Sequence, residues 1–177
     1  MKIYNTLSRQ AEEFEPIEEG KLYFYVCGLT PYDHAHLGHA RTYISMDMVK
    51  RYFLHKNYEV LHIQNITDVE DKIFNRSRET GKTPQELAEK FHGEALEEFD
   101  RLNILRADHY PKVSEHIPEI IGMIEKLVEK GHAYETATGV YFSVSSFSDY
   151  GKLSGQKPEG HRSGARCGIE ETKKDPA

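Results

Sequence analysis

A chain of 177 residues has room for one domain, or for one domain and the start of another. Its 38% hydrophobic and 29% charged residues exclude a disordered tail, and its net charge of −6 argues against a nonspecific binder of nucleic acid or membrane surfaces. Its two cysteines, Cys27 and Cys167, lie far apart, which excludes a disulfide scaffold and a zinc site built from cysteines alone.

The N-terminus has no apolar signal core, and no run of about 18 apolar residues occurs, so the expected compartment is the reducing cytoplasm. Lys2 to Thr6 reads as a short strand, and the polar, acidic stretch from Ser8 to Lys21 as a connector. Leu22 to Val26 is a continuous apolar run, as expected of a parallel strand buried on both faces. A loop from Cys27 to His36 follows. From Leu37 to His55 the pattern is helical, with Ile44, Met48 and Tyr52 at four-residue spacing, widened by Val49 and Phe53. Glu59 to Ile66 alternates as a second strand. Strand, loop, helix and strand make a βαβ unit with parallel strands. Ligands bind such sheets at the carboxyl ends of the strands, here Cys27–His39 and Asn65–Asp71, which should lie side by side.

Asp71 to Thr80 reads as a short helix closed by Gly81, with Asp68 or Asp71 as its cap. Thr83-Pro84-Gln85-Glu86 has the form of a capping box that starts a helix lined by Leu87, Phe91, Ala95 and Phe99. A further helix begins near Ser114 or His116 and runs to Lys130. It carries Ile117, Ile120, Ile121, Ile124, Leu127 and Val128 on one stripe, and Gly131 at its C-terminal cap. Residues 133–144 read as a hairpin. From Ser145 the composition turns to Gly, Ser, Lys and Pro without apolar periodicity.

The stretch from Thr30 to His39 holds the chemistry. His36 and His39 flank Gly38 where a strand passes into a helix. A helix N-terminus offers unpaired N–H groups and a positive dipole end to an anion. Gly38 allows close approach, and two imidazoles can donate to phosphate oxygens. The same residues also suit a surface histidine cluster, or a metal site of His34, His36 and His39.

Tyr25-Val26-Cys27-Gly28 followed by His36-Leu37-Gly38-His39-Ala40-Arg41 resembles the first half of a class I aminoacyl-tRNA synthetase, with Leu for Ile in the His-Ile-Gly-His motif. Four more segments make the resemblance specific to the cysteinyl-tRNA synthetase family. They are Tyr4-Asn5-Thr6-Leu7, Asn65 to Ile73, Asn103-Ile104-Leu105-Arg106 and Tyr150-Gly151-Lys152-Leu153-Ser154. Glu70 stands where the family usually has Asp.

The resemblance implies an α/β fold, the first half of a Rossmann-like nucleotide-binding fold with a parallel sheet. Residues 1–113 would form that half, and 114–177 the start of the connective insertion. It implies activation of cysteine with ATP and Mg²⁺ and its transfer to cysteine tRNA. Thr30, His36, Gly38 and His39 match the ATP site, with His36 and His39 as the catalytic pair. Gly28 and Thr67 match residues that hold cysteine. Cys27 matches a ligand of the Zn²⁺ that selects the substrate thiol.

The family's other zinc ligands (a Cys, a His and a Glu) and its Lys-Met-Ser-Lys-Ser loop are not in this sequence. The expectation is therefore an N-terminal piece that is inactive alone, either a shortened chain or one half of a split enzyme with a separate C-terminal half, with zinc content well below one per chain. Two alternatives are a cysteine ligase of mycothiol synthesis, which shares a segment similar to Thr30-Pro31-Tyr32-Asp33, and a noncatalytic nucleotide- or partner-binding module.

Overall fold

A computed structural model describes residues 1–155 of the chain. Cys167 and the Gly- and Lys-rich tail lie outside the described residues. The chain divides into two compact units. One is Pro16–Ile117, and the other joins Met1–Glu15 to the residues from Pro118 onward.

The Pro16–Ile117 unit holds every buried residue among those described, from Leu22 to Ala107. Its first elements in chain order are β3 (Lys21–Val26), α1 (Leu37–His55) and β4 (Glu59–Gln64). β1 (Lys2–Asn5) and β2 (Gln10–Glu13) belong to the other unit. β3 and β4 pair in parallel, from Lys21 opposite Glu59 to Val26 opposite Gln64, with α1 as the connection. The parallel direction continues through isolated bridges from Ile63 to His109 and from Ile66 to Lys112. β4 thus lies between β3 and the 109–112 segment. The expected βαβ unit is present.

Two expectations about its faces are corrected. β3 is not buried on both sides, because Tyr23 and Tyr25 are 47% and 64% exposed while Leu22 and Val26 face the core. The buried face of α1 carries Tyr43, Lys50 and Phe53, and Ile44, Met48 and Tyr52 are exposed. A lysine can replace an apolar side chain there because Lys50 Nζ donates to the Arg106 carbonyl (2.8 Å) and lies 3.5 Å from Asp108 Oδ2. A buried ammonium is tolerable only when paired in this way.

α2 (Asp71–Thr80) ends on Gly81, whose φ of 70° is the left-handed conformation that glycine adopts without strain. Its cap is Glu70, which accepts from the Lys72 N–H (2.7 Å), and not Asp68 or Asp71. Asp68 instead accepts from the Ser114 N–H (3.0 Å) and hydroxyl, fastening the end of β4 to the 109–115 segment. α3 (Pro84–Arg101) starts with the expected reciprocal box. Thr83 Oγ1 accepts from the Glu86 N–H, and Glu86 accepts from the Thr83 N–H. Leu87, Ala88, Phe91, Ala95 and Phe99 are buried along it. Phe99 packs its ring 4.8 Å from that of Tyr43, and both join Val26, Leu29 and Ala95 in the core.

In the other unit, β1 (Lys2–Asn5) and β2 (Gln10–Glu13) form an antiparallel hairpin, so part of the expected 8–21 connector is a strand. All eight residues are exposed, and no alternation marks β2 in the sequence. α4 (Ile117–Glu129) begins with Pro118 in its first turn, where a missing N–H costs nothing. β5 (Ala133–Thr136) and β6 (Gly139–Phe142) form the expected hairpin. No described helix is long and apolar enough to cross a membrane.

Candidate functional site at the carboxyl ends of the parallel strands

β3 and β4 release the chain at Val26 and Gln64, side by side in the ladder. The two following loops are then stitched together by one side chain, Asn65. Its Oδ1 accepts from the Gly28 N–H (2.8 Å) and from the Tyr25 hydroxyl (2.8 Å), and its Nδ2 donates to Thr67 Oγ1 (3.2 Å). The Thr67 N–H donates to the Leu29 carbonyl at 3.3 Å. Gly28 is required by this contact, since a Cβ there would stand 1.5 Å from the Asn65 carbonyl oxygen. Cys27, Gly28 and Thr67 therefore share one corner of the sheet. Sequence reading placed Gly28 and Thr67 there, named Tyr25 and Asn65 within motifs without giving them a role, and missed Tyr43. An Asn at the end of a β-strand, opposite a glycine, was the available signal.

Tyr43 reaches the corner from α1. It is 5% exposed, and its hydroxyl donates to the Cys27 carbonyl at 3.3 Å. Burial, and next the nearby Cys27 thiol, push the phenol up to about 12. It therefore stays a neutral donor. The Cys27 side chain itself is exposed and free.

His36 and His39 meet at the N-terminus of α1 in a less familiar capping box. His36 is the N-cap, and its Nδ1 accepts from the Gly38 N–H (3.0 Å). His39 Nδ1 accepts in turn from the His36 N–H (3.1 Å), and the two rings stack with centroids 4.0 Å apart. An Nδ1 that accepts from a backbone N–H carries no proton, so each neutral ring holds its proton on Nε2. Burial, helped by His36, lowers the His39 pKa below the usual imidazole value and keeps it uncharged near pH 7. A Cβ at residue 38 would press within 2.8 Å of His36 Cε1, so Gly38 leaves space for the capping ring.

The rest of the loop is anchored separately. Pro31 is fully buried, and Lys72 of α2 sits over the Tyr32 ring at 5.2 Å. His34 does not join the other histidines. Its Nδ1 lies 3.1 Å from Glu94 Oε2, and its ring packs edge-on against Phe91 at 5.1 Å. No group of three His, Cys, Asp or Glu side chains able to hold a metal occurs among the described residues. The alternative site of His34, His36 and His39 is thereby removed, and Cys27 is a single donor.

The N-terminus of α1 offers a pair of oriented imidazole N–H donors, and the strand ends offer the polar groups of Asn65 and Thr67. That arrangement suits an anionic ligand whose charge grows during reaction.

Comparison with known proteins identifies the family. The family model for tRNA synthetases class I (C), catalytic domain, matches residues 13–177. The chain is 55% identical over 176 residues to a cysteine–tRNA ligase of Pyrococcus horikoshii, covering 99% of this chain and 37% of that protein. It is 53% identical over 176 residues to that of Carboxydothermus hydrogenoformans, covering 99% and 38%. The chain thus spans little more than a third of the length of these relatives. Among solved structures, a Mycobacterium tuberculosis methionyl-tRNA synthetase in complex with methionyl-adenylate superimposes with a TM-score of 0.57 at 21% identity, over 63% of this chain and 23% of that one. That likeness concerns the fold.

Proposed function

The chain belongs to the family of class I (C) tRNA synthetase catalytic domains, and from that premise we propose that it is the opening part of a cysteine–tRNA ligase. The observation that carries the reading is the 55% identity over 99% of the chain, together with the oriented His36–His39 pair at the strand ends.

In the proposed reaction, a carboxylate oxygen of cysteine attacks the α-phosphorus of Mg²⁺-bound ATP, and pyrophosphate leaves. A ribose hydroxyl of cysteine tRNA then attacks the carbonyl carbon of the adenylate, and AMP leaves. His36 and His39 donate from Nε2 to phosphate oxygens as charge builds on them, and Gly38 with the α1 N-terminus receives the phosphates. Both rings are already fixed by backbone N–H groups, so no reorientation is needed at the moment of reaction. Thr30 borders the nucleotide. Gly28 and Thr67 hold the amino acid at the Asn65 corner, and Tyr43 keeps the Cys27 backbone in place. The reaction is carried out in the cytoplasm.

The resemblance also implies Zn²⁺, bound by Cys27. The described residues do not fit that ion, since one exposed thiol without companions is not a zinc site. The phosphate chemistry of His36 and His39 stands apart from it.

The test is cysteine-dependent ATP–pyrophosphate exchange, measured for this chain alone and with the remainder of a cysteine–tRNA ligase supplied as a second chain. Exchange in either mixture, lowered about 10²- to 10³-fold by His39→Ala, is the expected result. Exchange in neither overturns the proposal and favours a module that binds without turnover. Charging of tRNA, compared with a glucosamine–inositol acceptor, then identifies the second substrate.

A further inference from the structure

The least satisfied polar group in the core is His62 on β4. It is 6% exposed, and both ring nitrogens are fully buried without a hydrogen-bond partner. Its hydrogen bonds are made by the backbone alone, with its N–H donating to Asp108 Oδ2 at 2.7 Å, while its ring packs against that of Phe24 at 4.9 Å. Buried polar atoms in native proteins are almost always paired, with protein or with ordered water. An orphaned pair of ring nitrogens therefore points to a partner.

His62 lines a cavity with Tyr43, Asp47, Gln64 and Tyr110, at the junction of α1, β4, α3 and the 104–110 segment. It leaves about 10 Å³ for the centre of a water molecule, which is close to the room that one water needs. We infer that this cavity is the binding site of a single structural water molecule held by the His62 imidazole.

The chemistry selects water over other occupants. The ring is neutral in this setting, so one nitrogen must give a proton and the other must receive one. Burial, reinforced by the Lys50 ammonium, lowers its pKa, against smaller opposite effects of Asp108 and Asp47. A cation would satisfy only the lone pair and would share the neighbourhood with Lys50. An apolar occupant would satisfy neither nitrogen. The two ring nitrogens point away from each other, so one water meets the nitrogen that faces the cavity, and water can either give to it or accept from it. The wall supplies its second partner. The Tyr110 oxygen already accepts from the Ala107 N–H (2.9 Å), which leaves its own proton to donate inward. Asp47 Oδ1 accepts from the Leu105 N–H (2.9 Å) and has a lone pair to spare.

The site stands directly behind the functional corner, because Tyr43 lines the cavity and also holds the Cys27 carbonyl. The inference does not depend on the proposed activity.

Water–protein cross-relaxation spectra of the isotope-labelled full chain test it. A cross-peak between a long-lived water and the His62 ring carbon-bound protons is expected, together with a singly protonated ring in a long-range ¹H–¹⁵N spectrum. His62→Phe should abolish the water signal at the neighbouring Tyr110 ring. A wild-type chain with no such cross-peak, or a doubly protonated ring, overturns the inference. So does a water signal at Tyr110 that persists unchanged in the variant. Should His62→Phe fail to fold, the wild-type spectra decide the question by themselves.

Discussion

α3 and α4 look alike in the sequence and behave differently in the structure. Each repeats large apolar side chains at helical spacing. α3 buries Leu87, Ala88, Phe91, Ala95 and Phe99 against the sheet unit. α4 buries none of its residues, and Ile120, Ile121 and Ile124 stay 39%, 49% and 36% exposed. The difference shows that periodicity identifies a face but not whether anything covers it. Only α3 has its face closed by neighbours within the described residues.

Mutations can break or sharpen that contrast. The largest effect is expected for Leu87→Ala. Leu87 is 2% exposed, and its truncation should cost about 2–5 kcal/mol in urea unfolding.

Acid should act next, through the same core. The folded-state pKa of His62 lies below its ordinary value of 6.5, first through burial and then through Lys50. The unfolded chain therefore binds the proton more readily. The contribution of neutral His62 is fully present above about pH 6.5 and is lost as pH falls below it. His92 is shifted the same way, by burial and then by Lys112 and Arg106, and adds to the effect. Unfolding midpoints at pH 7.5 and 5.5 should fall with acid, and His62→Phe should flatten part of that slope. A midpoint that rises with acid would contradict the buried neutral ring.

Thr83→Ala removes the α3 cap and should cost about 1 kcal/mol, read from the thermal midpoint. Ile121→Ala on α4 should cost the least, within about 0.5 kcal/mol, as for an ordinary surface site. A loss as large as that of Leu87→Ala would mean that the α4 face is covered in solution, and the contrast would collapse.

Much of the sheet unit was legible in the sequence because its signals are local. The run from Leu22 to Val26, the box from Thr83 to Glu86 and the glycine at 81 each declare an element within a few residues. What could not be read depends on distant partners. Lys50 is a core residue only because Arg106 and Asp108 meet its ammonium, and no spacing rule turns α1 toward Tyr43, Lys50 and Phe53 rather than Ile44, Met48 and Tyr52. The strand Gln10–Glu13 has no apolar residue beyond Ala11 and is defined by its pairing with Lys2–Asn5. At the site, the resemblance singled out His36 and His39. Their mutual capping, which fixes the proton of each ring, exists only in three dimensions. Asn65 was named within a motif but given no role for the same reason, since its three partners come from three separate positions.

The parallel pairing of β3 with β4 has a consequence for the order in which the chain acquires structure. Lys21 meets Glu59 across the whole of the functional loop and α1, so that loop must be closed before the first ladder bond is gained. The β5–β6 hairpin closes around Thr136 and Gly139 with almost no chain between them. Local hairpins form on the scale of about 1–10 μs, whereas pairings between distant segments come later. The corner that joins Gly28 to Asn65 is therefore expected to form after the helices around it.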